Sequence, residues 1–452
     1  MEQWKSKNIR KNILQKKNKR RGKLMEKKDI RIKIKERVQY YMGEIHQTGY
    51  NFVKWSILAI VTGGIIGVLS SAFGHALAMA TSFRKENPWL LFGLPIAGLV
   101  IIFLYKKFGK DDGGTNQVFS TVRARDEVPA TAAPLIFVST VLTHLTGGSA
   151  GREGAAIQLG GSIANQMGRI LKMDEEDTHV IVMCGMSAAF AALFGTPMAA
   201  AIFSLEVISV GVMYYTALMP CLLASLVAAG VAGALGIHAE HFFEGFVPDM
   251  TIVYGMKIGI VVLACSVVSI LFCKVLKWTG KAYGRMQNKY VRIVVAAALV
   301  IGLNLLLQTS DYMGAGTELI VKAVQFGEAR PRDFLWKLLL TALTMKAGFK
   351  GGEIVPSFCI GATLGCTMGQ LLGFEPRLCA ACGMIAFFCA VTNCPITSML
   401  IAFELFGFEG VSYYLVAVAV SYATSGYYGL YKDQTIVYSK YKAKYVNQKT
   451  RS

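Results

Sequence analysis

CGMSAAFAALFGTPMAAAIFSLE, residues 184–206, returns as CGMIAFFCAVTNCPITSMLIAFE at residues 382–404. At an offset of 198 the Cys-Gly-Met opening, Ala188/Ala386, Phe190/Phe388, Ala192/Ala390, Pro197/Pro395 and Glu206/Glu404 coincide. Two further blocks keep the order and nearly the same spacing. GREGA (151–155) meets GEIVP (352–356) and Gly160 meets Gly361 at an offset of 201, and Gly114-Thr115 meets Gly316-Thr317 at 202. One short match is chance; three blocks in one order are a duplication.

The orientation of the two halves follows from charge. The 452-residue chain is 54% hydrophobic and 17% charged, with mean hydropathy +0.45. Apolar runs recur from Trp55 to Leu430. A membrane span needs about 20 such residues, so the composition predicts an all-α polytopic membrane protein rather than a soluble core. Lys and Arg cluster before residue 50, at 106–125, at 274–292 and after 431. Positive loops stay inside, which places both termini in the cytoplasm. The linker 236–256 carries no Lys or Arg and is expected outside. One half thus starts inside and ends outside, and the other does the reverse. Related halves of opposite sense form an inverted repeat, whose broken helices bring their ends together near the midplane. The expected divisions are an arm at 1–50, a first repeat at 51–238, a second at 239–430, and a C-terminal pore helix with a short basic tail at 431–452.

Residues 1–50 hold 16 Lys/Arg against 5 Asp/Glu, more than half of the net +19. The first apolar run begins only near Phe52, so the arm is no signal peptide. It reads as a basic cytoplasmic segment lying on anionic lipid rather than as a nucleic-acid-binding arm. All ten cysteines fall in or beside apolar segments and read as reduced, buried small hydrophobes. Six histidines form no HExxH or other metal motif, and no Ser–His pairing points to hydrolysis. An intramembrane enzyme using Glu153 as an acid/base is the reading this disfavours; no cofactor and no metal are expected.

LTGGSAGREGAAIQLGG, residues 145–161, is the chemical centre. It places Arg152 and Glu153 together in a glycine-rich break that opens into a small-residue helix. Ionisable residues at membrane depth are costly, and irregular backbone there is tolerated only around a cavity. The free N–H groups and dipole of the helix start attract an anion. Glu153 is the natural anion to be displaced by another, so the stretch predicts movement of small anions across the membrane.

With these residues in view, the chain resembles the CLC family of chloride channels and anion/proton antiporters over roughly residues 50 to 445. GGT (113–115) is similar to the first filter loop, GREG (151–154) to the family's most specific signature and GGEIVP (351–356) to its Gly-x-Phe-x-Pro loop. TIVYSK (435–440) resembles the last helix with its filter tyrosine, Tyr438. The resemblance implies a CLC-type inverted repeat of tilted, partly broken transmembrane helices, assembled as a homodimer with one pore per subunit. It implies that Glu153 gates the pore and carries the proton. Thr115 and Asn116, the Tyr438 phenol and the backbone N–H groups of Glu353, Ile354 and Val355 would bind the anion. Gly151, Arg152, Gly154, Gly351, Gly352 and Pro356 would support them. Such donors hold an anion without a full positive charge, so that it is bound yet released. Read alone, Thr115 is a helix N-cap and Tyr438 an interfacial aromatic.

Departures from the family pattern narrow the function. Val207 follows Glu206 where chloride/proton antiporters keep an internal proton glutamate, and Glu353 stands in a GGE loop. Together these look like the fluoride/proton antiporter branch, although that branch usually has Met or Asn where Thr115 stands before Asn116. The expectation is a halide/proton antiporter, fluoride ahead of chloride, in a bacterial plasma membrane. Glu353 would be a second proton-coupling group, and a passive, voltage-gated CLC-type chloride channel is the alternative. Its partners would be halide, protons, lipid and a second copy, with no nucleic acid.

Overall fold

A computed structural model describes residues 2–109, 114–123, 128–237, 247–442 and 444–451. Gly113 and positions 238–246 of the 236–256 linker lie outside the described residues. Residues 1–57 and 58–452 form two compact units. The first is helical throughout its described residues, and the second holds the duplicated segments.

The first half comprises α1 (Glu2–Glu86), α2 (Leu94–Phe108), α3 (Thr115–Arg123), α4 (Ala132–Leu145), α5 (Glu153–Ile170), α6 (Glu175–Phe194), α7 (Pro197–Glu206), strand β1 (Ser209–Val210) and α8 (Leu218–Ala234). The second comprises α9 (Ile252–Gly284), α10 (Lys289–Leu307), α11 (Thr317–Val321), α12 (Asp333–Ala347), α13 (Ile354–Leu371), α14 (Pro376–Thr392), α15 (Pro395–Phe406) and α16 (Val411–Thr424). Strands β2 (Thr435–Tyr438) and β3 (Tyr445–Lys449) follow. Among the described residues seven helices are long and apolar enough to cross a membrane, while five apolar helices of 10–17 residues are not. At about 1.5 Å per residue such short helices end inside a hydrocarbon layer roughly 30 Å thick. These are the broken helices that the repeat requires.

The duplication holds at the level of local chemistry. Helix α6 ends on Gly195 at φ 72°, and Pro197 starts α7; α14 ends on Asn393 at φ 60°, and Pro395 starts α15. Gly and Asn tolerate the left-handed cap, and Pro suits a first helical turn, where its missing N–H costs nothing. A Cβ on Gly160 would lie 2.1 Å from the Gly185 carbonyl oxygen, and one on Gly361 2.5 Å from that of Gly383. Helices α5 and α6, like α13 and α14, therefore pack backbone to backbone, as small residues allow in membranes.

The repeated glutamates complete the symmetry. Glu206, at the end of α7, accepts hydrogen bonds from Ile396 N–H (3.1 Å), Thr397 N–H (2.9 Å) and the Thr397 hydroxyl (2.6 Å) at the start of α15. Glu404 on α15 accepts from Met198 and Ala199 N–H, both at 2.9 Å, at the start of α7. Each helix is capped by the carboxylate of its repeat partner.

The C-terminus differs from the expected pore helix. Residues 435–438 form strand β2, parallel to β1 and antiparallel to β3. Thr435, Ile436, Val437 and Tyr438 are β-branched or aromatic and favour an extended, half-buried ribbon. The fully buried Gln434 fixes the entry by donating to the carbonyls of Val207 (2.9 Å) and Thr392 (2.6 Å).

Candidate functional site

Two glycine loops meet at the centre of the second unit. Gly151 and Gly352 form an isolated antiparallel bridge, N–H to O at 2.7 Å and 2.8 Å. A Cβ on Gly352 would lie 2.5 Å from Gly154 N, and one on Gly151 2.8 Å from Pro356 Cδ. Only glycine allows this approach. The bridge sets the starts of α5 and α13 side by side. Their first helical bonds run from Ala156 N–H to Arg152 O and from Ser357 N–H to Glu353 O. The N–H groups of Gly154, Ala155, Ile354 and Val355 thus have no acceptor within their helices. Two positive helix ends share one spot.

Glu153 is the first residue of α5, with its side chain 1% exposed. Its carboxylate is met at 3.3 Å by Arg152 Nε and accepts from Arg152 N–H at 3.2 Å. Arg152 also donates through Nη2 to the Leu193 carbonyl at 3.2 Å, which holds the guanidinium beside the site. Glu153 lines a cavity of about 10 Å³ with Arg152, Phe194, Thr317, Ile320, Val355, Phe358 and Met384. That is about the room one water-sized species requires. Phe194 and Phe358 stack at 5.4 Å and keep it tight. A cavity of about 530 Å³ lies beyond, lined by Arg84, Lys85, His144 and residues 310–311 and 313–318; Arg152 lines both.

The other expected residues divide. Thr115 is the first residue of α3 and donates to the Gly154 carbonyl at 3.1 Å. Asn116 has a buried side-chain carbonyl oxygen with no hydrogen-bond partner among the described residues. Ile354 and Val355 are buried at the start of α13. Glu353, at the N-cap of α13, is partly exposed and pairs with Lys346 at 3.6 Å. Gly351 is the fourth glycine of the contact, after Gly151, Gly154 and Gly352, its carbonyl 3.8 Å from where a Gly154 Cβ would lie.

Tyr438 does not join them. It is 50% exposed on β2, its ring 5.9 Å from that of Tyr445 and its side chain beside Gly211. A different tyrosine of this segment is buried. Tyr431 is 3% exposed and packs edge-on against Phe119 of α3 at 4.8 Å. Its buried hydroxyl has no hydrogen-bond partner among the described residues. Nothing local distinguishes it from its neighbours Tyr427, Tyr428 and Tyr438. Thr317 was legible in principle, because Gly316-Thr317 repeats Gly114-Thr115.

A polytopic inverted repeat with broken helices converging on a buried carboxylate and free amides defines an anion-transport membrane protein. The family profile described as voltage gated chloride channel matches residues 97–426, and the chain belongs to this family. It is 34% identical to a chloride/fluoride channel protein of Pseudomonas syringae pv. tomato, covering 86% of this chain and 88% of that one. The crystal structure of a CLC-type fluoride/proton antiporter superposes with a TM-score of 0.80 at 34% identity, covering 85% of this chain and 98% of the other. A slow cyanobacterial Cl⁻/H⁺ antiporter shares the fold, with a TM-score of 0.72 at 21% identity, covering 82% of this chain and 94% of the other.

Proposed function

We propose that this protein exchanges a small halide, fluoride ahead of chloride, for protons, with Glu153 as the group that competes with the anion and carries the proton. The observation carrying this reading is the buried Glu153 carboxylate at the joint of two helix N-termini, where an anion is stabilised by the same groups. With the side chain ionised and inward, it occupies the anion's place. Protonated, it no longer needs those donors and releases the place to the halide. Alternation of the two is exchange.

The halide would be held by the amides of Ile354 and Val355, by Thr115, and by the Tyr431 hydroxyl in the role expected of Tyr438. Flipping the Asn116 amide exchanges its two terminal atoms and offers a buried N–H as a further donor. Fluoride is the smaller and more strongly hydrated halide, so it needs close donors and little space. The amides of Ile354 and Val355, left without helical acceptors, are such donors. The similarity to a chloride/fluoride channel protein and to a fluoride/proton antiporter points the same way. Val207 is fully buried and has no titratable group. Glu353, which has Lys346 as its partner, is the group we assign to the other half of the proton route.

Lys106, Lys289, Arg292 and Lys350 line a cavity of about 860 Å³. We place this basic face, and both termini, in the cytoplasm of a bacterial cell. We assign a homodimer across α7 and α15, which pack together and expose Met198 and Ile396. The test is efflux from liposomes with fluoride and pH recorded together, repeated with chloride. Fluoride efflux that exceeds chloride efflux and drives opposite proton movement is expected. Equal loss of both anions replaces fluoride by chloride, and no proton movement replaces exchange by a channel.

A further inference from the structure

One buried cation takes no part in that exchange. Lys337, in the second turn of α12, is 0% exposed. Its Nζ donates to Ser149 Oγ (3.0 Å), to the Tyr312 carbonyl (3.1 Å) and to the Gly314 carbonyl (2.6 Å). Three acceptors match the three N–H bonds of an ammonium, whereas a neutral amine has two. None of the three is a carboxylate. Asp333, one turn earlier, is engaged by the Tyr312 hydroxyl at 2.6 Å and by Arg330 N–H at 3.0 Å. The charge at Lys337 is therefore solvated by neutral oxygens and not cancelled.

Its position gives that charge a use. Ser149 lies three residues before Arg152 in the loop that delivers Glu153. Gly314 bonds the same loop in both directions, Ala150 N–H to Gly314 O at 3.1 Å and Gly314 N–H to Gly148 O at 3.0 Å. Gly316, at φ 86°, passes so close that a Cβ there would lie 2.9 Å from Lys337 Cε. The next residue, Thr317, lines the cavity over Glu153. Arg84 of α1 and His144 of α4 lie beside Gly314, and Cys359 of α13 lies with Lys337 beside Gly316; the acids of this region are Asp333, one turn earlier on α12, and Asp311. Lys337 is thereby tied through Ser149 and Gly314 to the loop that carries Glu153.

We propose that Lys337 is a positioning residue whose charge, bonded by no carboxylate, sets anion affinity by fixing the potential at the site. This rests on the halide-transport reading. At an effective dielectric of about 20, a unit charge on the order of 10 Å from an anion alters its affinity by roughly tenfold.

The experiment reads half-saturating fluoride concentration and maximal rate on the full chain in liposomes. Lys337→Gln removes the charge, and folding is expected to survive because Ser149 Oγ keeps Thr341 and Gly314 O keeps Ala150 N–H as partners. Cys359→Asp cancels the charge without touching the lysine, since Cys359 Sγ and Lys337 Nζ lie 2.9 Å and 3.2 Å from the same point beside Gly316. Ser149→Ala removes one acceptor and leaves the charge. Half-saturation raised about tenfold in the first two, and within about twofold of the parent in Ser149→Ala, is the expected result. Parent-like half-saturation in Cys359→Asp overturns the proposal even if Lys337→Gln fails to fold. An equal rise in Ser149→Ala also overturns it, by reducing the lysine to a loop brace. Absence of halide flux in the parent protein would instead remove the transport reading on which the proposal stands.

Discussion

The reciprocal glutamate caps allow a stability prediction whose magnitude comes from the contacts. Glu206 is 5% exposed and receives three hydrogen bonds from α15, while Glu404 is half-buried and receives two from α7. Glu206→Gln keeps the shape and one acceptor but sets an amide NH₂ against a helix-terminal donor. A buried donor left without an acceptor costs about 1–3 kcal/mol, and losing the charge at a helix N-terminus up to about 2 kcal/mol. Against this, the neutral amide is cheaper to bury than a carboxylate. The net cost expected is about 2 kcal/mol. For Glu404→Gln, with two bonds at stake instead of three, about 1 kcal/mol is expected, as for an ordinary N-cap. The assay is equilibrium unfolding in mixed micelles with increasing SDS, followed by tryptophan fluorescence, for both single variants and the double. Because the two caps share no donor, one at the start of α7 and the other at the start of α15, the double variant is expected to lose about as much as the sum, roughly 3 kcal/mol. A Glu206→Gln protein within about 0.5 kcal/mol of the parent, the range of an ordinary surface substitution, refutes the reciprocal-cap reasoning. So does one more stable than Glu404→Gln.

Four further outcomes are expected. Glu153→Gln stops proton movement while fluoride efflux continues; protons still pumped against a fluoride gradient, seen with a pH dye, would dismiss Glu153 as the coupling group. Tyr431→Phe weakens fluoride binding by about tenfold, the worth of a hydrogen bond to an ion, whereas Tyr438→Phe stays within about twofold by calorimetry. Gly361→Ala forces a Cβ to 2.5 Å from the Gly383 carbonyl oxygen and costs roughly 1–3 kcal/mol in the same SDS titration. Glu353→Gln lowers the proton-to-fluoride ratio, measured by simultaneous pH and fluoride electrodes, and an unchanged ratio takes Glu353 out of the proton route.

What could be read in the sequence is what local chemistry and the duplication encode. The glycines of GREG and GGE announce their backbone bridge because no other residue permits that approach, and Glu153 stands out because a carboxylate in an apolar chain needs a reason. The C-terminal segment lacked such a cue. TIVYSK has the residues of a strand and the motif position of a helix. The choice rests on Gln434, whose buried amide reaches the carbonyls of Thr392 and Val207, the latter in the other half of the chain. Tyr431 was missed for the same reason: its exclusion from water depends on Phe119, which also belongs to the first half. The duplicated glutamates are the intermediate case. As sequence, Glu206 and Glu404 only mark the repeat. Yet a carboxylate at the end of a short helix, present in both members of a two-fold-related pair, faces the start of its partner when the two helices run antiparallel and pack together. The N–H groups at that start, three because proline opens the helix, need acceptors inside a membrane, where water cannot supply them. The repeat therefore implies the reciprocal cap, and the cap in turn explains why both copies carry the glutamate at the same place.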